Sequence, residues 1–266
     1  MIKISKDCLS FISSVQQDVS KLCTNDYYNQ AYCEAETAYW LELAQHIYNR
    51  RGDKNIVNSL DIGCAYGTLA VFLKQLFNTD VYCIDFVPYY MSEALKDQFN
   101  LHFAINNIEI DQFPWDVKFD IILFTEVLEH FNFHPVPTLE KIQGLLSDDG
   151  LLYLSTPNAK HWGKVTKYYD SLDKIPSPAL YNGSSLADDH VYVYEEAELL
   201  DVIGQAGLCL AENFTNEKQI QLVLKKKASG SLQECYDTLK KEYDALANSK
   251  LGKLQTAIWK WQNKSR

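Results

Sequence analysis

The segment LDIGCAYGTLAVFL at residues 60–73 decides the fold, because it has the pattern of a strand, a glycine-containing turn and a helix. Gly63 and Gly67 permit tight turning and close approach of a ligand, which a Cβ atom would obstruct. Their G-x-x-x-G spacing differs from the dinucleotide pattern G-x-G-x-x-G, and the segment lacks the lysine of a phosphate-binding loop. It therefore predicts no pyrophosphate cradle. Asp61, at the strand end, can accept hydrogen bonds from an ammonium group or from the amides of the turn.

Strand-like and helix-like segments alternate along the chain from residue 56 onward. The strand candidates are IVNSLDIG (56–63), DVYCIDF (80–86), HFAINNIE (102–109), FDIILFTE (119–126) and GLLYLSTPN (150–158). Helical patterns lie between them, and this alternation predicts a parallel, doubly wound, Rossmann-like α/β sheet. Two further strands, CLAENFT (209–215) and QIQLVLKK (219–226), can form an antiparallel hairpin at the end of the sheet.

Changes in pattern divide the chain into three regions. Residues 1–55 lack strand-like alternation and predict an N-terminal helical cap. Residues 56–226 carry the α/β pattern, interrupted at 159–189 by a segment rich in Pro, Ser and Asp that predicts an irregular insertion or lid. Residues 227–266 predict a C-terminal helical tail.

A second acidic residue, Asp85, ends the strand that follows the glycine turn. It stands 22 residues after Gly63, where a carboxylate can accept hydrogen bonds from both hydroxyls of a ribose. Asp61 or Asp85 taken alone can be an ordinary loop residue. Two such acids flanking a glycine turn favour a nucleoside-binding site.

The segment FTEVLEHF (124–131) places three side chains that can bind a metal where a strand ends. Glu126, Glu129 and His130 fall at i, i+3 and i+4, so a helix starting here would carry all three on one face. They can hold a metal or deprotonate a substrate. Alternatively, they only solvate the helix and interact favourably with its dipole. His190, in DDHVYVYEEAEL, is the candidate fourth ligand.

The motifs LDIGCAYG, CIDF, FDIILFTEVLEHF and GLLYLSTPN resemble, in order and spacing, the class I S-adenosylmethionine-dependent methyltransferases over residues 56–226. The resemblance implies a seven-stranded sheet ending in an antiparallel hairpin. It also implies a role for each cofactor-binding candidate. Asp61, Gly63 and Gly67 would surround the methionine part of the cofactor, Asp85 would bind its ribose, and Asn107 and Ile108 would lie near its adenine. Ala65 departs from the family pattern, since many members have glycine there.

The E-x-x-E-H set followed by His190 resembles the small-RNA 3′-terminal 2′-O-methyltransferases, and its first part resembles ubiquinone-type O-methyltransferases. The resemblance implies that Glu126, Glu129, His130 and His190 bind a divalent metal that also holds vicinal ribose hydroxyls. Two carboxylates and two imidazoles suit Mn²⁺, Fe²⁺ or Zn²⁺ better than Mg²⁺. Without a metal, His130 or His190 can act as a general base, and Glu126 belongs to the same catalytic set.

Composition limits the classes of function. The seven cysteines include no C-x-x-C pair, which argues against a disulfide framework or a cysteine zinc site and for a reducing, cytoplasmic location. The net charge is −10, but residues 225–266 hold ten basic and four acidic residues, so the rest of the chain is strongly acidic. An acidic body argues against nucleic-acid binding, which needs clustered Lys and Arg.

The tail segment 248–266 has five basic residues and no acid. As a helix it would carry one apolar stripe, formed by Leu251, Leu254, Ile258 and Trp261. A basic amphipathic helix with Trp residues is typical of a peripheral contact with the inner membrane face. The alternative is that the stripe packs on the protein itself or on a second subunit, which would make a homodimer.

The sequence therefore predicts an S-adenosylmethionine-dependent O-methyltransferase, assisted by a metal or by a histidine base. The expected acceptor is a sugar of a surface glycan, a glycosylated natural product or another small molecule. The rival hypotheses are a small-RNA 2′-O-methyltransferase, a quinone or phenol O-methyltransferase, and an inactive methyltransferase-fold binding module.

Overall fold

The structure, a computed structural model, describes residues 2–164 and 166–227. All of these except Lys227 belong to one compact unit, Met1–Lys226. The predicted helical tail and its basic apolar stripe lie outside the described residues. None of the described helices combines the length and the hydrophobicity needed to cross a bilayer.

Eight α-helices are numbered in chain order through the described residues. They are α1 (Lys6–Leu22), α2 (Cys33–Ala35), α3 (Thr37–Asn49), α4 (Thr68–Phe77), α5 (Glu93–Phe99), α6 (Pro135–Leu145), α7 (Ala159–Trp162) and α8 (Glu196–Gln205). Side-chain caps mark some of their starts: Ser5 accepts a hydrogen bond from the amide of Cys8, and Ser92 accepts one from the amide of Leu95. The lid segment 159–189 otherwise holds two short 3₁₀ turns and irregular chain.

Seven strands form one sheet, as predicted. They are β1 (Asn58–Ile62), β2 (Asp80–Asp85), β3 (His102–Ile105), β4 (Phe119–Thr125), β5 (Leu146–Pro157), β6 (Leu208–Asn213) and β7 (Gln219–Lys226). The spatial order is β3-β2-β1-β4-β5-β7-β6. The first five strands pair in parallel, while β7 pairs antiparallel to both β5 and β6, which confirms the hairpin.

The strand order reverses between β1 and β4, which are neighbours in the sheet. In an open α/β sheet, ligands bind in the crevice outside the carboxyl ends of the strands at such a reversal. The chain leaves β1 into the glycine turn and leaves β4 into Glu126. The fold therefore brings two of the candidate motifs to one crevice.

Helices cover both faces of the sheet. On one face, α1 and α3 pack with α4 over buried residues such as Phe72, Leu73 and Tyr153. On the other face, α6 and α8 pack over residues such as Phe124 and Leu199. The core strands are buried on both faces, which explains their near-continuous apolar sequences.

The second part of the predicted N-terminal helical cap consists of several short helical segments. Residues 26–52 form a π-helical turn, Tyr28–Tyr32, and then the short α2 and the longer α3. Tyr28 is fully buried in this turn, and its ring lies 5.1 Å from that of Tyr66 in the glycine turn. The aromatic residues therefore bring the N-terminal helices against the crevice instead of extending them away from it.

Gly150 lies at an irregularity of β5, where Leu146 pairs with Phe119 and Leu151 pairs with Ile121. A Cβ at Gly150 would approach the backbone oxygen of Phe119 to 2.5 Å. We expect Gly150→Ala to lower the free energy of unfolding by about 1–3 kcal/mol, because backbone must move to accommodate the methyl group. Chemical denaturation of the purified protein measures this change.

Gly144 is the matched control, because a Cβ there meets nothing within 4 Å and the residue lies inside α6. Gly144→Ala should raise the free energy of unfolding by about 0.5–1 kcal/mol through helix propensity. Equal stability of the two variants would contradict the packing argument.

Candidate active site

The glycine turn after β1 is held tightly against β2 and β4. The amides of Gly63 and Cys64 both donate to the backbone oxygen of Ile84. Gly63 has φ +73°, and a Cβ on it would overlap the Cγ2 of Val127, which follows β4. Glycine is therefore required at this position by both conformation and space.

Gly67 lies just before α4, where the packing leaves no room for a side chain. It caps the start of α4 with φ +85°, and a Cβ there would come within 2.8 Å of the side chains of Met91 and Leu95. It is not among the residues that line the clefts described below. Its missing side chain therefore makes room for Met91 and for Leu95 of α5, and the expectation that it surrounds the methionine part of a cofactor stays a prediction.

Asp85 joins the glycine turn to the end of β2. Its carboxylate accepts hydrogen bonds from the amides of Ala65 (2.9 Å) and Val87 (3.0 Å). Burial raises the pKa of Asp85, while these amides oppose that change. Ala65 adopts φ +43°, a conformation that favours glycine, so this departure from the usual glycine is accommodated at some conformational cost.

An apolar cleft opens beside Asp85. It contains the predicted residues Gly63, Asp85, Asn107 and Ile108. Its other lining residues are Ile62, Ile84, Phe86, Asn106, Glu109, Val127, His130, Phe131, Asn132, Leu186 and Ala187. Apolar walls with a few polar groups suit a flat heterocycle, and the carboxylate at the edge suits a diol. Sequence analysis missed Asn132 and Ala187, which come from other parts of the chain.

An acidic cleft of about 370 Å³ lies on the other side of the glycine turn. It contains Asp61, as predicted, and also Glu36, which no sequence motif indicates. Its other lining residues are Tyr32, Tyr39, Trp40, Gly63, Cys64, Ala65, Tyr66, Thr68, Leu69, Thr125 and Glu126. Asp61 is only 2% exposed, and its Oδ2 has no hydrogen-bond partner among the described residues. Burial, reinforced by the charge of Asp85, raises the pKa of Asp61 to about 7.

The segment after β4 does not form the predicted α-helix. Glu126 has φ +54° and lies in a turn, and only Leu128–His130 form a 3₁₀ turn. The prediction that Glu126, Glu129 and His130 share one helix face is therefore wrong. The amide of Glu126 donates to the backbone oxygen of Ser155 on β5, and this bond directs the chain away from a helical path.

Three of the four predicted metal ligands meet in space. Single ligand atoms of Glu129, His130 and His190 lie within 4.8 Å of one another. The rings of His130 and His190 are 5.0 Å apart and almost perpendicular, and His130 Nε2 lies 4.0 Å from Glu129 Oε1. Glu126 lies outside this group.

Hydrogen bonds from neighbouring strands hold the two glutamates in different places. The Glu126 carboxylate accepts bonds from the hydroxyl of Ser155 (2.7 Å) and the amide of Gln219 (3.3 Å). The Glu129 carboxylate accepts a bond from the hydroxyl of Thr156 (3.0 Å). Ser155 and Thr156 are consecutive residues of β5, whose side chains point to opposite faces of the sheet. The two carboxylates are therefore held by separate side chains of β5, although both line the open cleft.

The ligand group lies in an open cleft below the lid segment. This cleft is lined by Tyr32, Tyr39, Glu126, Glu129, His130, Pro157, Trp162, Gly163, Thr166, Lys167, Asp189, His190, Val193 and Gln219. Burial raises the pKa of Glu126 to about 7 and raises that of Glu129 well above its ordinary value. Burial and the neighbouring His190 lower the pKa of His130. A cation in this cleft, or a ligand that donates hydrogen bonds to the two carboxylates, would offset part of the cost of burying them.

Several solved structures share the fold at low sequence identity. One is an S-adenosylmethionine-dependent methyltransferase from Clostridium acetobutylicum (14% identity, 68% of this chain and 89% of that chain, TM-score 0.50). A second is a complex of DhpI with SAH (16%, 83% and 97%, TM-score 0.53). A third is the Burkholderia thailandensis 1,6-didemethyltoxoflavin N1-methyltransferase (15%, 85% and 92%, TM-score 0.53). At these identities the likeness shows the fold alone.

The sequence itself matches a protein family over most of its length. No curated protein matches it. A family model described as a methyltransferase domain matches residues 29–213, which include β1 to β6 and the residues of all three clefts from Tyr32 to Val193. The closer resemblance of the E-x-x-E-H set to metal-dependent 2′-O-methyltransferases stays a prediction. The chain belongs to the methyltransferase-domain family.

Proposed function

We propose that this protein is an S-adenosylmethionine-dependent O-methyltransferase that uses a divalent cation held by Glu129, His130 and His190. The observation that carries the proposal is the position of this ligand group. His130 lines both the apolar cleft and the open cleft, so a group bound there reaches a cofactor on one side and an acceptor on the other.

The residues present fit S-adenosylmethionine, the cofactor of this family. The apolar cleft suits the adenine, with Asn107 and Ile108 in its wall and Asp85 beside the ribose position. The acidic cleft, with the unpartnered Oδ2 of Asp61, suits the amino-acid end. Gly63 lines both clefts, so the chain that would join the two parts of the cofactor would pass along its backbone.

The donor set fits a transition metal. One carboxylate and two imidazoles favour Mn²⁺, Fe²⁺ or Zn²⁺ over Mg²⁺, which prefers oxygen ligands. The Thr156 hydroxyl orients the Glu129 carboxylate, as outer residues do at metal sites. Ligand atoms around one such cation lie at most about 4 Å apart. The group, with atoms up to 4.8 Å apart, must therefore contract slightly on binding.

The chemistry divides between bound groups and the chain. S-adenosylmethionine supplies an electrophilic methyl group when bound, and a divalent cation supplies Lewis acidity toward an acceptor hydroxyl. The chain holds the acceptor in line and excludes water, which accounts for much of the catalysis in such transfers. Glu126 lines both the acidic and the open clefts, and its carboxylate can accept a hydrogen bond from the hydroxyl of the methyl-accepting substrate. Without a cation, an imidazole of His130 or His190 is the alternative proton acceptor.

The open cleft favours a polar ring as the acceptor. Tyr32, Tyr39 and Trp162 present aromatic surface, while Lys167 and Gln219 present hydrogen-bond donors. Rings with polar edges suit a sugar or a phenol. The proposed acceptor is therefore a sugar of a glycan or of a glycosylated small molecule. Radiolabelled methyl transfer to sugar, phenol and amine acceptors tests this class, and transfer to amines alone would contradict O-methylation.

Asn132 positions the segment that carries His190. Its Oδ1 accepts a hydrogen bond from the amide of Ala187 (2.8 Å), and its Nδ2 donates to the Ala187 oxygen (3.0 Å) and the His130 oxygen (3.1 Å). The backbone amide of Val191 donates a hydrogen bond to the backbone oxygen of Glu129 (2.7 Å). These bonds hold the chain on both sides of His190, at the end of the lid segment and just after it.

We expect His190→Ala to lower the metal content of the purified protein at least tenfold, because one of three ligands is lost. Elemental analysis measures the content, and a chelator should abolish methyl transfer by the unaltered protein. His161→Ala is the matched control, since His161 pairs with Glu217 outside the ligand group. The proposed cation would be refuted if the purified protein contained no metal and if neither the chelator nor His190→Ala reduced turnover.

We expect Asn132→Ala to speed amide hydrogen exchange at Ala187 by at least about fivefold, since a hydrogen bond of about 1 kcal/mol holds that amide. Hydrogen exchange with mass spectrometry measures the rate. Asn182→Ala is the control, because Asn182 caps only the local amide of Ser184 in the same lid. Unchanged exchange at Ala187 would show that other contacts hold the segment.

A further inference from the structure

The acidic cleft contains two buried carboxylates from distant parts of the sequence. Asp61 lies in β1, and Glu36 immediately precedes α3. They are 2% and 3% exposed, respectively. Within residues 2–164 and 166–227, neither forms a salt bridge with a Lys, Arg or His. The cleft therefore concentrates negative charge without a cation from the described chain.

A hydrogen-bond network holds the Glu36 side chain in place. Its Oε1 accepts bonds from Gln16 Nε2 (2.9 Å) and from the Tyr28 hydroxyl (3.2 Å). The Tyr28 hydroxyl also lies 3.0 Å from the hydroxyl of Thr68, the first residue of α4. Gln16 is in turn fixed by a bond to the Cys33 oxygen. All of these partners are neutral, so they orient the carboxylate without compensating its charge.

The electrostatics of the pair favour a cation in the cleft. Burial is the first cause that raises the pKa of Glu36 to about 7, and burial also raises that of Asp61 to about 7. A buried carboxylate without a charged partner is costly, and a positive group bonded to both would remove much of that cost. A primary ammonium has three N–H donors on one small atom, so it can serve two carboxylates at once.

We propose that Glu36 and Asp61 together bind the α-ammonium group at the amino-acid end of the cofactor. The inference rests on the proposed function, because it takes S-adenosylmethionine as the ligand. Its new element is Glu36, through which the N-terminal helices take part in cofactor binding. The N-terminal helices are then part of the cofactor site as well as a cover over the sheet.

The test compares two nucleosides by calorimetry with the full chain. S-adenosylhomocysteine carries the amino-acid end, whereas 5′-methylthioadenosine lacks it. We expect Glu36→Gln to weaken S-adenosylhomocysteine at least tenfold, the loss typical of a charged hydrogen bond. Its affinity for 5′-methylthioadenosine should stay within twofold of the unaltered protein. Glu34→Gln is the matched control, because Glu34 is exposed two residues away.

The outcomes separate this inference from the proposed function. Unchanged S-adenosylhomocysteine affinity in Glu36→Gln, or an equal loss for both nucleosides, would overturn the role of Glu36 alone. Failure of the unaltered protein to bind either nucleoside would overturn the cofactor assignment and, with it, the inference.

If the Glu36→Gln variant fails to fold, a measurement on the unaltered protein still tests the proposal. The deaminated analogue of S-adenosylhomocysteine keeps the carboxylate and lacks the amine. We expect it to bind at least a hundredfold more weakly, because both carboxylates then face no cation. Equal affinities would overturn the proposal.

Discussion

The close packing of the glycine turn against the chain after β4 is the constraint on which the rest of the site depends. Gly63 leaves the space that the side chain of Val127 occupies, and its amide is bonded to the end of β2. This contact lies where the strand order reverses, so the ends of β1 and β4 cannot separate. The acidic and apolar clefts form on its two sides, and Gly63 lines both.

Burial of acidic groups is the second unifying feature. Six largely buried carboxylates gather at this edge of the sheet: Glu36, Asp61, Asp85, Glu109, Glu126 and Glu129. Burial raises the pKa of each, because the described residues supply amides and hydroxyls to them and few positive charges. Such a site favours positively charged ligands. S-adenosylmethionine, the cofactor of the family, carries a sulfonium and an ammonium.

The residues at the end of the lid segment and just after it line two of the clefts. Leu186 and Ala187 line the apolar cleft, and Asp189 and His190 line the open cleft only a few residues later. Asn132 holds the first pair, and the backbone of Glu129 holds the chain just after the second. Part of the wall of the apolar cleft and part of the wall of the open cleft are therefore formed by one short segment.

Local patterns were enough to predict the sheet and to place several candidate site residues at one crevice. Strand candidates, the terminal hairpin and the positions of Asp61, Gly63 and Asp85 follow from residues close together in sequence. The helix predicted for 126–130 was wrong, because i, i+3 and i+4 spacing assumes helical backbone and carries no information on the positive φ of Glu126. That conformation depends on its bond to β5, a contact between distant residues.

The sequence by itself determined the fold class, the crevice and the residue types placed there, since periodicity and glycine turns are local properties. Only the tertiary structure decided which of these side chains meet. It brought His190 to Glu129 and His130, bonded Glu126 to Ser155 outside that group, and placed Glu36 in the same cleft as Asp61. Each of these outcomes depends on packing between segments far apart in the chain, whose geometry no short sequence pattern specifies.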